Sequence, residues 1–346
     1  MRCGPIRATS GRLALPVWLV LLVAACARHE APLRLAFTEG SSATRETPTP
    51  ALPLPADEIG RLLAAAPFEL DHVERASGGV MGVEHSRIRF PERNVELDVK
   101  WKTAPSGDAD GWDNSPRKEI APYAIQQWFL DVPDWAVPPT AIRCIALDRF
   151  RRLVPSTEAT IEGTRCVLGL LAAWLENVEP PTVLYDAERF THDRRYAGHM
   201  ADLNLLTYLI DHRDGRSGNF LVSKNSDDGR VWAVDNGIAF GNWVWNYFVT
   251  NWNVIRVPAL RRDAVERLRR VTPEQVRSLL VLAELRADAD GVLQPVQGSA
   301  PRDVDRGTRM APGWIQFGLT ADEVAAVDAR RRELLERVDR GEIPLF

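Results

Sequence analysis

The sequence predicts an α+β protein in two lobes, strand-rich in its first half and mainly helical in its second. Two patterns carry that reading. Residues 95–102, "VELDVKWK", alternate strictly, with Val95, Leu97, Val99 and Trp101 on one face and Glu96, Asp98, Lys100 and Lys102 on the other. Helical spacing runs through "AGHMADLNLLTYLI" (197–210), where Met200, Leu203, Leu206, Leu209 and Ile210 fall on or near one side. A chain of 346 residues can bury a core of that size, and 45% hydrophobic residues exclude global disorder.

The first residues read as an export signal. Arg2, Arg7 and Arg12 form a basic region, and "LALPVWLVLLVAA" (13–25) is an apolar stretch too short to span a bilayer comfortably. It ends in "VAAC", which resembles a bacterial lipobox with Cys26 as the lipidated residue; the alternative is an ordinary cleavage site. Ala27 after the cysteine suggests the outer membrane, facing the periplasm. Residues 26–57, rich in Pro, Thr, Ser and Ala without sustained period, read as a disordered tether. The lobes are expected at 58–165 and 166–346.

Each element follows from local pattern. "DEIGRLLAAAPFEL" (57–70) offers a first helix, and 78–102 gives strands separated by turn residues. "SGDADGWDNSPR" is a polar loop. "KEIAPYAIQQWFL" (118–130) has helical spacing, with Pro122 expected in its first turn. "VPPTAIRCIALDRF" and "TRCVLGLLAAWL" are strand-like. "RDAVERLRRV", "PEQVRSLLVLAEL" and "TADEVAAVDARRRELLERV" read as helices that fill the end of the chain.

Removing residues 1–25 removes three arginines and no acid, which takes the net charge from -4 to -7. An acidic surface without a basic stripe excludes nucleic-acid binding as the main role. Cys144 and Cys166 remain beside Cys26, either paired in an oxidising compartment or buried as thiols. There is no CxxC, no Cys/His cluster with zinc spacing and no G-x-S-x-G. His199 and His212 flank a helix and read as capping or surface residues.

The chemistry sits in "DHRDGRSGNFLV" (211–222) and "VWAVDNGIAFG" (231–241). The first turns at Gly215 and Gly218 and enters a strand at Phe220; the second leaves a strand at Asp235, with a turn signal behind it. If the strands pair, Asp214, Asn219 and Asp235 meet at one rim. Phosphoryl transfer asks for such a set: one carboxylate for the attacking hydroxyl, and an amide oxygen with a second carboxylate for magnesium.

A helix, then D-x-x-x-x-N with an aromatic next, then an apolar strand and D-N-G, resembles the phosphoinositide-kinase-like branch of the protein-kinase superfamily. That branch includes HipA-type kinases, spore-coat CotH kinases and the secretory-pathway kinases (Golgi casein kinase and four-jointed). The resemblance covers roughly residues 73–245 and implies a two-lobed protein-kinase-like fold. It implies that Asp214 is catalytic, that Asn219 and Asp235 bind magnesium or manganese, and that ATP is the donor. Glu119 would pair with a strand lysine on the ATP phosphates. Lys100 fits by register and Lys102 is the alternative. "SGGVMG", with Gly78, Gly79 and Gly82, resembles the turn over the phosphates. Arg216 departs from the histidine often found there, either to steady the γ-phosphate or to face solvent. No role carries onto Asp211, expected to cap or solvate a helix end. The tryptophans of "GNWVWNYFVTNWNV" line a substrate surface or pack onto helices.

The expectation is therefore an exported, lipid-anchored, ATP-dependent kinase that phosphorylates a hydroxyl of a protein or small molecule. The membrane is met only through the lipid. The alternatives are an inactive pseudokinase or binding module of the envelope, and nucleotidyl transfer on the same fold.

Overall fold

Strict alternation gives a strand one apolar and one polar face, and the first sheet is built around such a strand. The computed structural model describes residues 51–75, 83–104, 115–241 and 251–346. Its first elements are helix α1 (Ala56–Ala65), strands β1 (Glu69–Arg75), β2 (Val83–Phe90) and β3 (Val95–Thr103), and helix α2 (Pro116–Gln126). Strand β4 (Thr140–Ala146), the short helix α3 (Leu147–Arg151) and strand β5 (Cys166–Ala173) follow. The five strands form one antiparallel sheet in the order β1-β2-β3-β5-β4. Leu97, Val99 and Trp101 are buried with Ile59, Leu62 and Leu63 of α1 and Phe150 of α3. β5 leaves room for the indole: a Cβ on Gly169 would lie 2.4 Å from the Trp101 ring. The opposite face carries Lys100 and Lys102 towards α2 and the rest of the chain.

Several boundaries differ from expectation. The first helix stops at Ala65, because Pro67 cannot continue it, and Glu69 to Arg75 become an edge strand. Residues 51–57, expected in the tether, pack with the folded part: Ala51 is buried, and its carbonyl accepts from the Glu176 N–H at 2.9 Å. The division at 165/166 falls inside the sheet, since β5 lies between β3 and β4. Pro122 is not in the first turn of its helix, because α2 begins at Pro116.

The next part holds β6 (Val178–Glu179), α4 (Ala187–His192), α5 (Arg194–Leu209), β7 (Phe220–Ser223) and β8 (Val231–Ala233). The strands form a small sheet, β6-β7-β8. Helices α6 (Arg262–Arg269) and α7 (Pro273–Ser278) lead into strands β9 (Ala283–Ala287), β10 (Leu293–Val296), β11 (Thr308–Ala311) and β12 (Trp314–Phe317). The chain ends with α8 (Ala321–Asp339). The largest core gathers α5 with the ends of α2, β7, β8, α6, α7 and α8. Among the described residues, no helix is long and apolar enough to cross a membrane.

The expectation that helices fill the end of the chain is corrected here. β9 to β12 form a four-stranded antiparallel sheet in the order β10-β9-β12-β11. The helical spacing of "PEQVRSLLVLAEL" is used only as far as Ser278. Beyond it, Leu285, Leu293, Ile315 and Phe317 are buried with Ile120, Ile142, Leu168 and Leu170. Covering α2 and the β4–β5 end of the first sheet outweighs the local helix preference.

Glu284 organises that second sheet. Its carboxylate is buried and accepts from the Ser299 N–H (2.7 Å) and hydroxyl (2.7 Å), Trp314 Nε1 (2.8 Å) and Gln316 Nε2 (3.0 Å). Burial alone would raise its pKa, but these donors hold it well below the usual 4.5. A folded-state value below the unfolded one gives stability present above about pH 4.5 and lost as the pH falls through the folded value. Thermal melts between pH 7 and 3 should show that loss, and Glu284→Gln should be less stable at pH 7 with a flatter acid slope.

Cys144 on β4 and Cys166 on β5 are joined by a disulfide, with their Cα atoms 5.5 Å apart. The bridge spans 22 residues of sequence, so closing that loop removes about 3 kcal/mol of unfolded-chain entropy. Cys144→Ser, or full reduction, should lower the denaturation free energy by about that amount in urea titrations.

Candidate functional site

The site forms where the polar face of β3 meets α2 and the loops around β7 and β8. Pairing of Phe220 with Ala233 brings the start of β7 beside the end of β8, and the Val234 N–H bonds the Asn219 carbonyl at 3.0 Å. Asn219 and Asp235 therefore leave the small sheet at one rim. His212 closes the same rim, with its Nε2 on the Asp235 carbonyl at 3.2 Å.

Lys102, not Lys100, pairs with Glu119. Its Nζ lies 3.0 Å from Glu119 Oε1, and both side chains are buried. Both lysines point to the polar face; the choice between them is made by α2, which sets Glu119 opposite the later one. Lys100 instead reaches across to the Val234 carbonyl at 3.1 Å, one residue before Asp235. The other Glu119 oxygen accepts from the Asn236 N–H at 3.1 Å. One carboxylate thus ties β3, α2 and the loop that carries Asp235.

Three carboxylates in this small region have different electrostatic fates. Burial pushes the Glu119 pKa up, but Lys102, Lys100 and the Asn236 N–H pull it down to about 2. Asp235 is raised, first by burial and then by the neighbouring Glu119, against the opposing pull of Lys102 and Lys100. Burial of Asp214 is outweighed by hydrogen bonds from Arg216 and Asn219, so its pKa is lowered. Burial lowers the His212 pKa and favours the neutral imidazole, which places the proton on Nε2 to donate to Asp235.

Asp214 is buried beneath a half-exposed Arg216. The guanidinium approaches both carboxylate oxygens, with Nε at 2.8 Å and Nη2 at 2.5 Å. Asn219 Nδ2 donates to the Asp214 carbonyl at 2.9 Å, which leaves the amide oxygen as the group available to a cation. Arg216 is an ion-pair partner of Asp214, with its side chain still half exposed to solvent. Asp211 differs from expectation. It is buried with φ of 51°, and Arg213 (2.7 Å), Arg330 (2.7 Å) and Asn253 (2.8 Å) bind its carboxylate. It fastens the loop to α8 rather than solvating a helix end.

Gly78, Gly79 and Gly82 lie outside the described residues, as do Trp243 and Trp245. Trp252 is buried in the main core beside Tyr185. His212 is the residue that pattern reading missed: as a surface residue it has no role, yet it is fully buried. The signal was its place, two residues before Asp214.

Among the described residues, no group of three or more His, Cys, Asp and Glu side chains could hold a metal ion. Asn219 and Asp235 offer two hard oxygen donors, a set that suits magnesium or manganese when phosphate oxygens supply other ligands. Clefts of about 970 Å³ and 390 Å³ lie elsewhere, the larger lined by His199, Arg261 and Asp134, the smaller by Trp135 and Trp232. The chain matches no protein-family model and no curated protein.

The buried pair gives a sharp stability test. Lys102→Met should destabilise the protein by about 3–5 kcal/mol in urea titrations, because Glu119 loses its buried partner. The double change Lys102→Met with Glu119→Leu should recover most of that loss, and Lys100→Met alone should cost less than half of it.

Proposed function

We propose that the chain is a phosphotransferase with a two-lobed protein-kinase-like fold, using ATP with magnesium or manganese to phosphorylate a hydroxyl. The observation that carries this reading is the buried Lys102–Glu119 pair, bonded through Asn236 to the loop of Asp235. A strand lysine held by a helix glutamate is how kinases position the donor phosphates. The string His212-Arg213-Asp214, with Asn219 five residues after the aspartate, has the order of a kinase catalytic loop. The five-stranded sheet with α2 would be the first lobe, and the part built on α5 the second.

In this reading Lys102 binds the donor phosphates, and Glu119 fixes the amine by ion pairing. Asn219 and Asp235 hold the metal, which neutralises phosphate charge when bound. Cation binding also resolves the conflict of Asp235 with Glu119, since it favours the ionised form. Asp214 accepts the proton of the acceptor hydroxyl as its oxygen attacks the γ-phosphorus; the bond to the bridging oxygen breaks and ADP leaves with the electron pair. Arg216 keeps Asp214 ionised. Its side chain is 53% exposed, which leaves it space to turn towards phosphate while the acceptor takes its place on Asp214.

The acceptor is a protein or a small molecule, and the proposed location is the cell envelope, anchored by lipid at Cys26. The Cys144–Cys166 disulfide favours an oxidising compartment. ATP is scarce there, so the enzyme would act on export intermediates or secreted material, or draw on another phosphoryl donor.

Incubation of the mature protein with labelled ATP and magnesium or manganese should label the protein itself or an envelope acceptor. Asp214→Asn should lower the rate at least about 100-fold, the scale of a lost general base. Lys102→Met and Asp235→Ala should abolish transfer. Wild-type protein that transfers no label but binds nucleotide is a pseudokinase, and an added mass of AMP in place of phosphate means nucleotidyl transfer.

A further inference from the structure

Helix α2 is poorly equipped to hold its own position. Its N-cap, Ser115, makes no side-chain capping bond, and Pro122 removes one backbone bond from its middle. Nine of its eleven residues are nevertheless buried. Side chains from elsewhere hold it, and two of its cations, Arg117 and Lys118, meet Glu323 in the first turn of α8.

Arg117 pairs with Glu323 through Nη1 and Oε2, and Lys118 Nζ lies 3.8 Å from Glu323 Oε1. Both basic residues directly precede Glu119. Lys118 also donates to the Ala239 carbonyl at 3.2 Å, in the loop that follows Asp235. A continuous chain of contacts therefore runs from α8 through α2 to the Asp235 loop. Gly307 lets Arg117 lie flat, since a Cβ there would fall 2.3 Å from its Nε. Glu323 is itself fixed: its carboxylate accepts from the Thr320 N–H at 2.9 Å, and the Thr320 hydroxyl accepts from its N–H at 3.2 Å. The second sheet covers the same helix, where Ile120 packs with Leu285, Ile315 and Phe317.

We infer that Glu323 is a positioning residue that clamps α2 and so sets Lys102 against Glu119, making residues 283–339 a built-in activator of the site. The inference deepens the nucleotide-binding reading and rests on it for its functional consequence, though the clamp can be measured without nucleotide. No separate partner is needed to seat α2, because its outer side is already covered by this chain's own sheet and helix.

Glu323→Gln is the informative variant. Glutamine also serves in a capping box, so α8 keeps its start while the charge facing Arg117 and Lys118 is lost. Labelling with an amine-reactive reagent, read by mass spectrometry, compares buried Lys102 with exposed Lys224 in the same molecule. The Lys102-to-Lys224 ratio should rise about 3- to 30-fold, the range expected for a coupled remote residue. The affinity for MgATP should weaken by a similar factor, and Glu323→Asp, which keeps the charge, should fall closer to wild type in both. If Glu323→Gln does not fold, as judged by a circular-dichroism melt, Arg117→Gln, which removes the cation on the other side of the same ion pair, carries the comparison and should raise the ratio likewise. An unchanged Lys102 ratio overturns the clamp. A raised ratio in a protein whose wild type binds no MgATP upholds the clamp and overturns the nucleotide reading instead.

Discussion

The burial of Lys102 against Glu119 is the constraint to which the surrounding parts answer. Moving two ions out of water costs several kcal/mol each, and their attraction offsets this only when further hydrogen bonds complete the arrangement. Every element near the pair contributes to that condition. β3 delivers the lysine on a face kept polar by alternation, and α1 seals the other face. Asn236 supplies the N–H that the second Glu119 oxygen requires. A hydrophobic pair would fill the same space with less difficulty, so stability alone does not explain why charges sit there. The expense is understandable where an ammonium group has to be held ready for a polyanion.

Electrostatics then divides the acids by task. Glu119 and Asp214 each have a dedicated cation, and each is held in its ionised form. Asp235 is different: Lys102 and Lys100 pull its pKa down, but burial and Glu119 win, and it rises. Groups whose environments push their pKa values apart are the mark of a site built for distinct roles. The acid under most electrostatic pressure is the one that gains most from a divalent ion. This asymmetry supports the proposed division between a base and a metal ligand more firmly than proximity alone.

Much of this was legible in the sequence where local pattern and tertiary demand agree. The period of two at 95–102 and the periodic face of α5 both survive into the fold, because each meets a core of matching shape. The neighbouring exits of Asn219 and Asp235 from the small sheet follow from the strand pairing that the turn chemistry suggests. The choice between Lys100 and Lys102 was not legible: both share one face, and only the position of α2 decides it. The burial of His212 is equally invisible in sequence, since it depends on what packs over the ring. The second sheet escaped notice because "PEQVRSLLVLAEL" satisfies a helical period through its first turns, and its strand half is chosen by Ile120 and Leu168 far away in sequence.

The four strands between residues 283 and 317 form because they have a surface to cover, and that surface includes the helix that carries Glu119. Local preference is overridden where a distant contact is worth more, and here the distant contact seats α2. A helix interrupted by Pro122 and weakly capped at its start would otherwise be free to choose its position. The segment most poorly foretold by sequence is thus the one on which the geometry of the Lys102–Glu119 pair most depends. Glu323 gathers that dependence into one side chain, because it joins the start of α8 to the two cations beside Glu119.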